Sequence, residues 1–176
     1  MEPFVALMRR YCIDYTNRQD RSVCDEIMHP DYVVHINGHD LPRNAAYKPA
    51  VRRVFERFPG LGLVVHEFVT NGDRLAMRFS EHGACPDAQG RYAARGGIGV
   101  YRWDGSRLVE NFVEQDFLSQ QRQLADGQPA PLEPPHLDPW LGTRAPRADP
   151  AVERVARVWL QEGNLSEAGT VAVDGS

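Results

Sequence analysis

Apolar residues recur at Phe4, Val5, Met8, Tyr11, Cys12 and Tyr15, a three-and-four spacing that predicts an amphipathic helix from Glu2 to about Asn17. Asp20 or Ser22 can cap a shorter second helix through Met28. His29-Pro30 ends it, because the residue before proline is pushed out of helical space. Tyr32 to Ile36 reads as a strand, stopped by the turn chemistry of Asn37-Gly38. A third helix runs from Asn44 or Ala45 to Phe58 with Val51, Val54, Phe55 and Phe58 as its inner stripe, and Pro59-Gly60 closes it.

Only strands follow. Leu61 to Thr70 and Arg74 to Gly83 flank an Asn71-Gly72-Asp73 turn, a strong hairpin signal. Tyr92 to Trp103 and Arg107 to about Phe117 flank Asp104-Gly105 in the same way. Gly96, Gly97 and Gly99 suggest a bulge or sharp bend in the first of these two strands. Helices first and an antiparallel meander afterwards indicate an α+β fold with the helices on one face of the sheet.

The last strand carries the most informative row. Side chains in a strand repeat with period two, so Glu110, Phe112, Glu114 and Asp116 share a face. If that face is solvent, the row aids solubility. If it lines a pocket, like-charge crowding and burial raise at least one carboxyl pKa toward the range useful for proton exchange near neutrality. Asp116 is the foremost candidate for such a role; the plain alternative is a strand-end aspartate in solvent or paired with Arg78 or Arg102. His35 and Asn37 have matching strand parity and follow the first two helices; they could orient Asp116 or hold a substrate oxygen. Tyr15 and Tyr32 carry hydroxyls that find partners when buried.

Length and composition narrow the classes. A chain of 176 residues is most simply one domain, and its formal charge of -4 argues against a nucleic-acid groove or an anionic membrane surface as partner. No run approaches the ~20 apolar residues of a membrane helix, and the N-terminus lacks the order of a secretory signal, so a cytoplasmic location is expected. Cys12, Cys24 and Cys85 are odd in number and lack C-x-x-C spacing, which argues against a disulfide framework or a zinc knuckle. Asp31, His35 and His39 are close in sequence, but across a glycine turn they share no helical face, so no metal site is expected. No G-x-S-x-G elbow is present to suggest a serine hydrolase, and the glycines near 96–99 precede no helix that could make them a phosphate loop. Past Asp126 the composition shifts: residues 127–150 hold seven prolines, which suits an arm lying over a surface. The expected division is therefore residues 1–125 as the folded domain and 126–176 as an extension, with a short helix near 150–162.

The order helix, helix, strand, helix, four strands resembles the nuclear-transport-factor-2-like cone, in which three N-terminal helices pack on a highly curved, mostly antiparallel sheet. Within it the chain is similar to the SnoaL-like polyketide cyclases over about residues 5–124. The matching pieces are Tyr15 to Asn17, Pro30-Asp31-Tyr32-Val33-Val34-His35, Phe58-Pro59-Gly60-Leu61, Asn71 to Phe79, and Leu108 through Asp116 to Leu124. The resemblance implies that Asp116 is the general acid/base of an intramolecular aldol closure, and that two copies pair through the outer face of the sheet. The chain departs from the family in having Phe112 where tryptophan is usual and Gly83-Ala84-Cys85 where Gly-Thr-His is frequent.

The expected function is thus a cofactor-independent enzyme, a cyclase or isomerase of secondary metabolism, acting on a small hydrophobic carbonyl compound. Asp116 and His35 are the expected catalytic groups; Tyr15, Asn37, Phe79, His82, Phe112 and Glu114 are the expected substrate contacts. Two alternatives stand beside it. One is a catalytically silent ligand-binding or dimerisation module; the other is a dehydratase or hydrolase using carboxylate-held water, with Glu114 or His82 as second acid/base group. The proline-rich arm is expected to cross to a partner subunit and dock Trp140 or Trp159 near the pocket mouth.

Overall fold

The computed structural model describes residues 1–136, 138–141, 143–144 and 149–162, with only the backbone path given for 143–144 and 159–162. The first helix, α1 (Pro3–Arg10), continues without a break into a π-helical stretch, Tyr11–Asn17. Pro3 opens it, where a missing N–H costs nothing, and Arg9 and Arg10 sit favourably in its last α-helical turn. Phe4, Val5, Met8, Cys12 and Tyr15 form its buried side, as the spacing predicts. A short 3₁₀ turn capped by Asp20, whose side chain accepts from Ser22 N, leads into α2 (Cys24–Ile27). Another π-helical stretch, Arg43–Tyr47, precedes α3 (Lys48–Arg57).

Seven strands make one sheet in the order β2-β1-β6-β5-β4-β3-β7. They are β1 (Met28–Ile36), β2 (His39–Pro42), β3 (Gly62–Thr70), β4 (Arg74–Cys85), β5 (Arg91–Trp103), β6 (Leu108–Gln115) and the two-residue β7 (Thr143–Arg144). The β1–β6 and β3–β7 pairs are parallel and the rest antiparallel. The fold is α+β with helices on the concave face of a curved sheet. Asn37-Gly38 does more than stop β1: both residues have positive φ, the geometry of a two-residue hairpin, and β2 pairs back onto β1. The three cysteines are buried and free. Among the described residues no helix is long and apolar enough to cross a membrane.

Two irregularities govern which side chains turn inward. Between β5 and β6, Arg102 pairs Glu110 but Trp103 pairs Leu108, so Val109 is an extra residue. Leu108 is fully buried, and without the bulge Glu110 and Phe112 would follow it inward; the one-residue slip sends them outward and brings Asn111 and Val113 in. Between β3 and β4, Val65 pairs Phe79 and Glu67 pairs Arg78, leaving His66 as the extra residue. The β4–β5 ladder is unbroken from Arg74↔Arg102 to Cys85↔Arg91, so the glycines of β5 mark no bulge. Their use is steric. A Cβ on Gly97 would lie 2.6 Å from Phe79 Cζ, and one on Gly99 2.9 Å from Tyr101 Cε2, so these bare positions let two rings lie across the inner face.

After β6 the chain turns into α4 (Phe117–Asp126), a helix the strand reading of this segment does not anticipate. The arm that follows returns along its own sheet. Ala130 N donates to Gln123 Oε1 at 2.9 Å, Glu133 pairs with Arg78 at 2.6 Å, and Trp140 packs on Phe68 with ring centroids 6.0 Å apart. The first compact unit accordingly runs from Met1 to Arg144, so Trp140 docks within its own chain. A second unit from residue 145 contains α5 (Pro150–Glu162), started by Asp149, whose carboxylate accepts from Ala151 N at 2.7 Å. The Trp159 side chain lies outside the described residues.

Because Gly97 gives its volume to the Phe79 ring, Gly97→Val is expected to displace that ring and lower unfolding free energy by about 1–3 kcal/mol. Urea denaturation would measure it; a midpoint unchanged from wild type would contradict the assigned packing.

Candidate functional site

The concave face of the sheet and the first and third helices enclose a cavity of about 460 Å³. Tyr11 and Tyr15 enter it from the π-helical stretch, and Val51, Val54 and Phe55 from α3. The sheet contributes Phe79 and Glu81 from β4, Arg95 and Tyr101 from β5, and Asn111, Val113 and Gln115 from β6. Widening of the helix into π geometry recurs at functional sites, and here it lies where two phenols turn toward the cavity.

Five of the six tyrosines form one aromatic group. Tyr11 meets Tyr101 edge-on at 5.5 Å, Tyr15 lies 6.3 Å from Tyr47, and Tyr32 meets Tyr47 edge-on at 5.7 Å. Burial pushes the pKa of Tyr11, Tyr15, Tyr32, Tyr47 and Tyr101 well up, since a phenolate would be left without water. Their hydroxyls therefore stay neutral donors through the physiological range. Among the described residues, Asn111 Oδ1 and the Tyr32 hydroxyl are buried without a hydrogen-bond partner. An unmet buried acceptor costs about 1–3 kcal/mol, and Asn111 faces the cavity, where a ligand's donor could meet it.

One ion pair is set in this apolar surround. Glu81 and Arg95 are cross-strand partners, 8% and 6% exposed. Arg95 Nε and Nη2 both bond Glu81 Oε2, the first at 2.9 Å, while Nη1 donates to Gln120 Oε1 of α4 at 3.0 Å. The guanidinium also lies 4.5 Å over the Phe117 ring. Among the described residues no group donates to Glu81 Oε1. The carboxylate is thus held by one oxygen and presents the other.

Of the residues expected from sequence, Tyr15, Asn37 and Phe79 line this cavity. Asn37 does so at the rim, with its amide already engaged to the main chain of Gln115 at 3.0 and 3.3 Å. The others lie elsewhere. The bulge at Val109 turns Phe112 and Glu114 to the outer face. Asp116 is exposed and caps α4, accepting from Ser119 N at 2.8 Å. His35 also faces outward, stacked on Phe112 at 4.3 Å, with Nδ1 2.6 Å from Asp40 and Nε2 3.4 Å from Glu110. Glu110 is drawn below its ordinary pKa chiefly by the Arg102 hydrogen bond. His82 faces away from the cavity, bonded to the Tyr92 hydroxyl and drawn down by burial. Sequence reasoning missed Glu81, Arg95, Asn111, Tyr11, Tyr47 and Tyr101 as cavity residues, and Tyr32, which it did single out, is buried but does not line the cavity. A signal for Glu81 exists: it continues the alternating row Leu75, Met77, Phe79, where a lone carboxylate among apolar side chains needs a partner. Among the described residues no group of three or more His, Cys, Asp or Glu is placed to hold a metal.

Removing one partner of a buried pair leaves an uncompensated charge. Arg95→Leu is therefore expected to cost about 3–5 kcal/mol, and the double change with Glu81→Leu to recover most of it. Chemical denaturation of the two variants would show this; equal losses in both would mean the pair is not buried as described.

Similarity to other proteins agrees with this geometry. Residues 8–111 match the model of the SnoaL-like domain. A candidate polyketide cyclase from Acidithiobacillus ferrooxidans is 22% identical, with a TM-score of 0.61 over 69% of this chain and 94% of that one. IdmH, a candidate polyketide cyclase from Streptomyces antibioticus, is 21% identical with a TM-score of 0.61 over 71% and 99%. AclR, a candidate hydroxylase from Streptomyces galilaeus, is 19% identical with a TM-score of 0.61 over 69% and 94%. No curated protein matches the sequence significantly. The family model covers more than half of the chain, and the chain belongs to the SnoaL-like domain family.

Proposed function

We propose that the protein is a cofactor-independent acid/base enzyme that cyclises or isomerises a small, mostly apolar carbonyl compound, with Glu81 carrying the proton. The observation that supports this best is the Glu81 carboxylate, bonded by Arg95 through Oε2 only, on the wall of an apolar cavity that also offers neutral phenols and amides. Oε1 removes a proton α to the substrate carbonyl, and the electron pair moves onto the carbonyl oxygen. A tyrosine hydroxyl donates to that enolate oxygen, which suits phenols that burial keeps protonated. The carbon nucleophile then attacks a second carbonyl, whose oxygen takes the proton back from the Glu81 carboxyl, or is itself reprotonated by that carboxyl at another position. Arg95 keeps Glu81 oriented between turnovers. The cavity volume lies within the range of small-molecule sites.

A second reading, a binding protein without catalysis, is favoured by one observation. The last strand offers the cavity Asn111, Val113 and Gln115, with no carboxylate where the family resemblance implies one. A panel of small cyclic ketones in deuterated buffer distinguishes the two. Enzyme-dependent exchange at the α-carbon is expected, slowed ~10²–10⁴-fold in Glu81→Gln and unchanged in Asp116→Asn. Saturable binding with no exchange would favour the binding reading.

For the assembly, we propose a homodimer in which a second copy covers the outer-face apolar side chains Val100 and Phe112, the latter 49% exposed. Light scattering on the full chain should give the dimer mass, and Phe112→Arg with Val100→Arg the monomer mass; a monomeric wild type at micromolar concentration would refute it.

A further inference from the structure

The outer face carries a second chemical centre, on the other side of the sheet from Glu81. The bulge in β3 gives two successive outward side chains, His66 and Glu67, and bulges commonly re-aim a side chain beside an active site. His66 is 4% exposed, covered by the returning arm. Its Nε2 lies 2.9 Å from Ser80 Oγ, and its Nδ1 lies 3.3 Å from the Pro134 carbonyl and 3.7 Å from Glu133 Oε1. A carbonyl can only accept, so the Nδ1 proton points at Pro134. That tautomer leaves the Nε2 lone pair facing the serine hydroxyl, as a general base requires. Glu133 is fixed beside the imidazole by two hydrogen bonds from Arg78, at 2.6 and 2.9 Å.

A histidine tied to a serine under a strap could serve packing alone. Two features go beyond packing. Ser80 opens onto a groove of about 640 Å³ between the sheet and the arm, walled by Ile98, Pro131 and Leu132. Its cross-strand partner is Gly96, where an added Cβ would meet nothing within 4 Å, so the floor beside the hydroxyl is bare. Glu114 and Asp116 also border the groove, as do Arg78 and Arg95, so charges of both signs ring an apolar wall and an uncharged ligand fits it best.

We propose that Ser80, His66 and Glu133 form a serine acyl-transfer site for small, uncharged esters with an apolar acyl group. Ser80 Oγ bonds the acyl carbon while its proton passes to His66 Nε2. The carbon–oxygen bond to the leaving alcohol breaks, and that proton goes to the departing oxygen. Water, deprotonated by the same nitrogen, then releases the acid and restores Ser80. Glu133 sits beyond hydrogen-bond distance of Nδ1 and steadies the imidazolium only through space. Acylation followed by slow deacylation is the expected behaviour.

The full chain is incubated with p-nitrophenyl acetate, and the adduct is located by intact mass and peptide mapping. Lys48 is the only lysine, which limits background acylation. One acetyl group on Ser80 is expected. It should be absent in Ser80→Ala and form ~100-fold more slowly in His66→Gln. If His66→Gln loses thermal stability, Gly96→Val, which fills the groove without touching the histidine, should slow labelling instead. Acetyl groups confined to other residues, or Ser80 labelling indifferent to both His66→Gln and Gly96→Val, would overturn the proposal.

Discussion

The Glu81–Arg95 pair places a fixed charge pair on the cavity wall and links β4, β5 and α4 through one guanidinium. Taking both charges out of water costs several kcal/mol per ion, and their attraction offsets this only when the remaining hydrogen-bonding capacity is met. Arg95 meets it by spreading its guanidinium over three neighbours: the carboxylate across the ladder, the Gln120 amide on α4 and the Phe117 ring. One arginine thus joins the β4–β5 ladder, the start of α4 and the polarity of the cavity wall. The same arrangement leaves Glu81 half satisfied, because Arg95 reaches only Oε2. A carboxylate that is fixed yet retains an open lone pair is a chemically useful group, and its fixation is what makes the opening tolerable.

Much of the frame was legible in the sequence. Helical spacing located α1 and α3, and Asn71-Gly72 and Asp104-Gly105 located two hairpins, because turn chemistry and periodicity are local properties. Inward and outward faces were not legible. A strand's period is two, so a single extra residue reverses every following side chain, and nothing local marks Val109 or His66 as extra. Glu110, Phe112, Glu114 and Asp116 read as one row, which they are, but the row faces outward. Asp116 ends an alternating run and also starts a helix, and the two patterns overlap on the same residue. Glu81 and Arg95 stand fourteen positions apart and meet only through register. Ser80, His66 and Glu133 come from two strands and an arm, and no linear motif joins them.

The two faces of the sheet differ in chemical character. Inside, burial holds five phenols neutral and leaves a single fixed charge pair. Outside, Asp40, His35, Glu110 and Arg102 run in a line of ionic contacts across β2, β1, β6 and β5. Exposed pairs of this kind contribute little individually. They do keep polar side chains spread across four strands, so that Phe112 and its cross-strand neighbour Val100 stand out as an apolar patch.

The arm's last contact has a consequence for solubility. An open sheet has two edges, each a row of unpaired N–H and C=O groups that can template pairing with another chain. One edge here is β2, four residues long and ending in Pro42, which has no N–H to give. The other would be β3, nine residues rich in Val and Leu, were it not for Thr143 and Arg144 lying against Val69 and Thr70. The arm therefore acts as a guard on the longer edge. Growth of the sheet from molecule to molecule is thereby blunted at both edges.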